Sequence, residues 1–132
     1  MSGPAEGTDP PVQPGGERLT NTPAGVRLCL LESLQDGHAR NFVLEIGDRR
    51  FHGFVVRTGE TVHGYVDRCP HMGLPLAQRL DDYMAPSGDL IACSWHGALF
   101  RIDDGRCVGG PCVGAHLSPW PVRVRDGMVE TA

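Results

Sequence analysis

The chain has little of what several functional classes require. No apolar run in its 132 residues approaches the roughly 20 needed to cross a bilayer as a helix. Its start, Met1-Ser2-Gly3-Pro4-Ala5-Glu6, has neither the basic region nor the apolar region of an export signal. Basic residues are in deficit, with 12 Lys and Arg against 16 Asp and Glu, so the net charge of −4 argues against nucleic acid as a partner. Aromatic residues make up only 6% of the chain, which is thin for a core, although 40% hydrophobic residues suffice for one modest domain. There is no Ser/His/Asp arrangement, no phosphate-cradling glycine loop and no nicotinamide fingerprint. The expectation is one small soluble domain in the cytoplasm, with no membrane and no nucleic-acid partner.

What is present is concentrated between Cys69 and His96. The first half reads Cys69-Pro70-His71-Met72-Gly73 and the second Cys93-Ser94-Trp95-His96-Gly97. The pattern is Cys-x-His, 21 intervening residues, then Cys-x-x-His. Two soft sulfur donors and two imidazole nitrogens suit zinc or an iron–sulfur cluster and suit calcium or magnesium poorly. Structural zinc is the plain alternative, since Cys₂His₂ is a common zinc set. Zinc fingers, however, usually pair Cys with Cys and His with His, whereas each half here mixes the types.

With Leu76 and Phe100 added, these two segments resemble the ligand loops of Rieske [2Fe–2S] proteins, and the resemblance extends over roughly residues 26–130. In that family two Cys hold one iron and two His the other. The resemblance implies one [2Fe–2S] cluster per chain, with Cys69 and Cys93 on the inner iron and His71 and His96 on the outer one. It also implies an all-β fold of stacked antiparallel sheets, with a small cluster-binding subdomain made of two ligand loops at about 67–77 and 91–100. Gly109-Gly110-Pro111 falls where the family places a proline-containing loop that covers the cluster, here about 109–112.

Departures from the family pattern carry information too. High-potential members have an extra Cys in each ligand loop, joined as a disulfide. The matching positions here are Leu74 and Ser94 or Trp95, so that bridge is absent. Those members also place a Ser two residues and a Tyr four residues after the second ligand His, and both hydroxyls donate toward sulfur. Here the positions are Ala98 and Phe100. Fewer donors leave the reduced cluster less stabilised, which points to the low end of the Rieske range, about −150 mV. An outer imidazole on ferric iron would also lose its proton more readily than free imidazole, coupling electron to proton uptake at alkaline pH.

The remaining chain reads as a domain with a leader. Residues 1–25 hold Pro4, Pro10, Pro11, Pro14 and Pro23 and few large apolar groups, the composition of a flexible segment. Residues 26–132 show short apolar runs split by turn signals. Strands are expected at Val26–Leu34, Ala39–Ile46, Arg49–Arg57, Thr61–Val66, Leu90–Ala92, Ala98–Ile102, Arg106–Val108, Pro121–Arg125 and Met128–Thr131. Phe51, Phe54, Val55 and Val56 are core candidates, and Asp81–Gly88 reads as a surface excursion. His38, His52, His63 and His116 lie outside the ligand pattern. Cys29 reads as a small buried hydrophobe, and Cys107 and Cys112 as two isolated thiols, with a redox-sensitive pair as the alternative.

By resemblance, the function is one-electron transfer by a Rieske-type ferredoxin or small Rieske subunit, without catalysis of its own. A flavin-dependent reductase would be the donor and a terminal oxygenase or other oxidoreductase the acceptor. The rival readings are a small subunit of a nitrite-reductase-like complex and a redox- or iron-sensing Rieske protein. The mononuclear iron centre of an oxygenase α subunit would need a further large domain than these residues provide.

Overall fold

A computed structural model describes residues 18–70 and 73–132. Ten strands are found among them: β1 (Arg27–Leu30), β2 (Ala39–Ile46), β3 (Arg49–Thr58), β4 (Thr61–Val66), β5 (Leu90–Ala92), β6 (Leu99–Arg101), β7 (Cys107–Gly109), β8 (Pro119–Trp120), β9 (Val122–Arg125) and β10 (Met128–Thr131). They form three antiparallel sheets, in the orders β1-β10-β9, β2-β3-β4-β8 and β5-β6-β7. The expected all-β architecture of stacked antiparallel sheets is therefore what the chain adopts.

Strand β3 explains how the layers stack. Successive side chains on a strand point to opposite faces, and β3 buries both of its faces. Phe51 and Val55 join Val62, Val66, Trp120 and Val129 in one core cluster, beneath the sheet that closes the chain. Phe54 and Val56 join Tyr65, Ile91, Phe100 and Leu117 in a second cluster, beneath the small sheet β5-β6-β7. All four apolar β3 residues are fully buried. Gly53 lies between them and makes room for the indole, since a Cβ there would come within 2.7 Å of Trp120 Cε3.

The first predicted strand is shorter than expected. It stops at Leu30 and passes into a 3-10 turn, Leu31–Ser33, which buries Leu31 under the sheet. Residues 18–25, grouped above with the leader, are tied to the domain. The Leu19 amide donates to the Arg50 carbonyl at 2.8 Å, Trp120 Nε1 donates to Thr22 Oγ1 at 2.9 Å, and Thr131 Oγ1 donates to the Pro23 carbonyl at 2.7 Å. The rest of the leader, 1–17, lies outside the described residues.

The Asp81–Gly88 excursion also differs from expectation. Tyr83 is buried and its ring stacks on Phe54, with centroids 4.2 Å apart. The Ala92 amide donates to the Tyr83 carbonyl at 2.8 Å and the Ala85 amide to the Leu90 carbonyl at 2.9 Å, so this segment runs alongside β5 as an extra partner. The aromatic ring supplies burial that the polar composition of its neighbours concealed.

Candidate metal centre

Both expected ligand loops leave the ends of strands whose feet are in the core. The first follows β4, and the second joins β5 to β6. Their backbones close in the same way. In the first, the Cys69 amide donates to the Leu74 carbonyl (2.7 Å) and the Gly73 amide donates back to the Cys69 carbonyl (2.7 Å). In the second, the Cys93 amide donates to the Ala98 carbonyl (2.8 Å) and the Gly97 amide donates back to the Cys93 carbonyl (3.0 Å). Each loop is thus a clasp that begins at a Cys and turns on a Gly four residues later. Gly73 and Gly97 have φ of 72° and 73°, a left-handed conformation that glycine adopts without steric cost.

The clasps are joined to each other. The Ser94 amide donates to the Leu76 carbonyl at 2.7 Å, Trp95 Nε1 donates to the Pro75 carbonyl at 2.6 Å, and Gln78 Nε2 donates to the Ser94 carbonyl at 3.2 Å. Cys69 and Cys93 are 1% and 2% exposed and share one core cluster, whereas His96 is exposed. The arrangement therefore places both cysteine sulfurs inward and the His96 imidazole outward. His71 lies outside the described residues. Among the described residues no three His, Cys, Asp or Glu side chains are grouped as ligands of a single ion. The Cys/Cys and His/His division expected above asks only two protein donors of each iron.

A buried polar network braces the first clasp from behind, and nothing in the sequence pattern announced it. Asp67 is 6% exposed; its Oδ1 accepts the Leu76 amide at 2.9 Å, and its Oδ2 accepts the Tyr83 hydroxyl at 2.8 Å. Asn41 Nδ2 donates to the Tyr83 oxygen at 2.7 Å and to Asp67 Oδ2 at 3.3 Å. Burial, and then the Asp67 charge, hold the Tyr83 phenol well above its ordinary value, so it stays a proton donor.

The third loop lies against the second clasp. A Cβ on Gly110 would sit 2.7 Å from Ala98 Cα and 3.0 Å from the Gly97 carbonyl oxygen, so only glycine allows this approach. Behind it, Cys107 and Cys112 are in contact, with Sγ atoms 3.2 Å apart. They are not the isolated thiols expected above, because the loop folds back on β7. Burial, followed by the hydrogen bond to Cys107 and the charges of Cys107, Cys69 and Cys93, pushes the Cys112 thiol up to about 12. Cys29 is half-buried, as are His52 and His63, whereas His38 and His116 are exposed; the structure leaves these four histidines spread over the domain.

Soft donors on paired clasps fit an iron–sulfur centre, and comparison with known proteins points the same way. The chain is 28% identical over 107 residues to ferredoxin CarAc of Metapseudomonas resinovorans, an alignment covering 81% of this chain and 92% of that one. It is 35% identical over 80 residues to the terminal oxygenase component CarAa of carbazole 1,9a-dioxygenase from a Sphingomonas species. That match covers 55% of this chain but spans only 20% of the relative's length. Among solved structures, one chain in a complex of reduced oxygenase and oxidised ferredoxin of carbazole 1,9a-dioxygenase matches with a TM-score of 0.64 and 28% identity, over 81% of this chain and all of that one. The profile of the Rieske [2Fe–2S] domain matches residues 25–125, and the chain belongs to that [2Fe–2S]-binding family.

Proposed function

We propose that this protein is a one-electron carrier of the Rieske ferredoxin type, with Cys69 and Cys93 holding the inner iron and His71 and His96 the outer iron. When bound, the cluster supplies reversible one-electron chemistry between ferric and ferrous states. The chain's own residues bury the sulfur donors, present the His96 edge to a partner, and fix both through the clasps and the Asp67 network. In this reading the 109–112 loop shields the cluster from one side.

The observation that carries the reading is the pairing of two buried cysteines on matched clasps, with His96 at the exposed end. The likeness to ferredoxin CarAc, which runs over 92% of that ferredoxin, supports the carrier reading. The electron donor would be a flavin-dependent reductase and the acceptor a terminal oxygenase. The net charge of −4 favours docking on a basic face, acting more on association rate than on affinity. A cytoplasmic setting is consistent with this exchange.

The test is spectroscopic and then kinetic. The purified chain should hold two irons and give, on reduction, the EPR signal of mixed Cys/His ligation, and His96→Cys should shift that signal toward all-Cys ligation. A protein holding one zinc and no iron would overturn the reading. The reduced protein should then be reoxidised by a Rieske oxygenase; stable association with a large reductase subunit would instead support the nitrite-reductase-like role.

A further inference from the structure

We propose that Cys107 and Cys112 form a reversible disulfide that fixes the loop between them against the second clasp. The two thiols already touch, with the Cys112 thiol donating to Cys107 Sγ at 3.2 Å and the Cys107 thiol donating to the Gly109 carbonyl at 3.1 Å. Disulfide formation needs the sulfurs to close to about 2.05 Å, a movement of roughly 1 Å. The backbone has already made the turn. The Cys107 amide donates to the Ala115 carbonyl (2.8 Å), the Gly114 amide donates to the Cys107 carbonyl (3.1 Å), and the Ala115 amide donates to the Cys112 carbonyl (2.9 Å).

Exposure divides the roles. Cys107 is fully buried, whereas Cys112 is only partly so. The Cys112 sulfur therefore meets a disulfide oxidant such as oxidised glutathione first. It forms a mixed disulfide as the glutathione S–S bond breaks, and one glutathione thiol leaves with a proton. The Cys107 sulfur then attacks Cys112, forming the internal bond and releasing the second glutathione thiol with the second proton. Two protein thiols are oxidised and one glutathione disulfide is reduced to two thiols.

The bridge differs in place from one joining the ligand loops. It would close on the segment that carries Gly110, whose backbone lies against Gly97 and Ala98. Oxidation would thus stiffen one wall of the centre without consuming a ligand. The bond itself does not depend on the electron-carrier reading, since it involves neither Cys69 nor Cys93.

The test uses the full chain with its metal centre as purified, equilibrated in glutathione buffers from reducing to oxidising and then alkylated. Cleavage after Arg106 and Arg123 releases a peptide, Cys107–Arg123, whose only two cysteines are this pair. In reducing buffer it should carry two alkyl groups. In oxidising buffer it should lose both and become lighter by two hydrogen atoms, and dithiothreitol should reverse this. Cys112→Ser should abolish the change. A peptide that stays doubly alkylated, or carries only glutathione adducts, would overturn the proposal, as would crosslinking of Cys107 to a ligand cysteine.

Discussion

Asp67 closes the first ligand loop from behind by accepting the Leu76 amide at 2.9 Å, nine residues further along the chain. The same carboxylate takes the Tyr83 hydroxyl at 2.8 Å, so the loop, the connection to β5 and the central sheet meet at one buried acid. Such a network is worth most when every member is satisfied. Tyr83→Phe removes a donor to the acid and an acceptor from Asn41, at a cost of about 1–3 kcal/mol. Asp67→Asn should cost at least as much, because an amide offers only one acceptor oxygen where the carboxylate uses two. Denaturant midpoints check both; an unchanged midpoint for either would show that the network does not brace the fold.

Trp95 ties the second clasp to the first through its indole, which donates to the Pro75 carbonyl at 2.6 Å while the side chain stays 44% exposed. Trp95→Phe keeps the ring and loses the donor. Global stability should fall by only about 0.5–1.5 kcal/mol, while iron loss to a chelator should accelerate, because the strap joins the two arms that must hold the centre together. Equal chelation rates in the two proteins would place the tie elsewhere.

Phe100 is fully buried and stands where high-potential relatives carry a hydroxyl. Phe100→Tyr should raise the reduction potential. A hydrogen bond that favours the reduced state by about 1 kcal/mol corresponds to roughly 40 mV for one electron. Voltammetry on both proteins measures the shift, starting from a value near the bottom of the family range, about −150 mV. A downward shift would sink the argument from missing donors.

His52 gives a pH dependence with a definite sign. Its pKa is lowered from 6.5, first by burial and then by Arg18, with Arg50 adding to the effect and Asp67 opposing it. The unfolded chain therefore binds this proton more tightly than the folded one, and stability rises with pH. The contribution is fully present above the ordinary imidazole value of 6.5 and is lost as pH falls from there through the lower folded value. The difference in denaturation midpoint between the parent and His52→Gln, followed from neutral to mildly acid pH, should shrink on acidification. A difference independent of pH would remove His52 as the cause.

Much of this was legible because the sequence signals were local. Alternation in β3 and β4 shows at a period of two, and the Cys and His spacing marks both loops. The repeated Cys-x-x-x-Gly of the two clasps was on view too, although their shared hydrogen bonding became apparent only in the fold. What stayed hidden depends on separation in the chain. Asn41, Asp67 and Tyr83 are brought together across 42 residues, and each alone looks like an ordinary polar or aromatic position. The contact of Cys107 with Cys112 required a loop that doubles back, which spacing by itself does not specify.

Because each arm closes on its own backbone bonds, removing iron takes away what the arms grip and not what shapes them. A chain stripped of metal should keep two preset jaws, and refilling should resemble loading a vice more than refolding a protein.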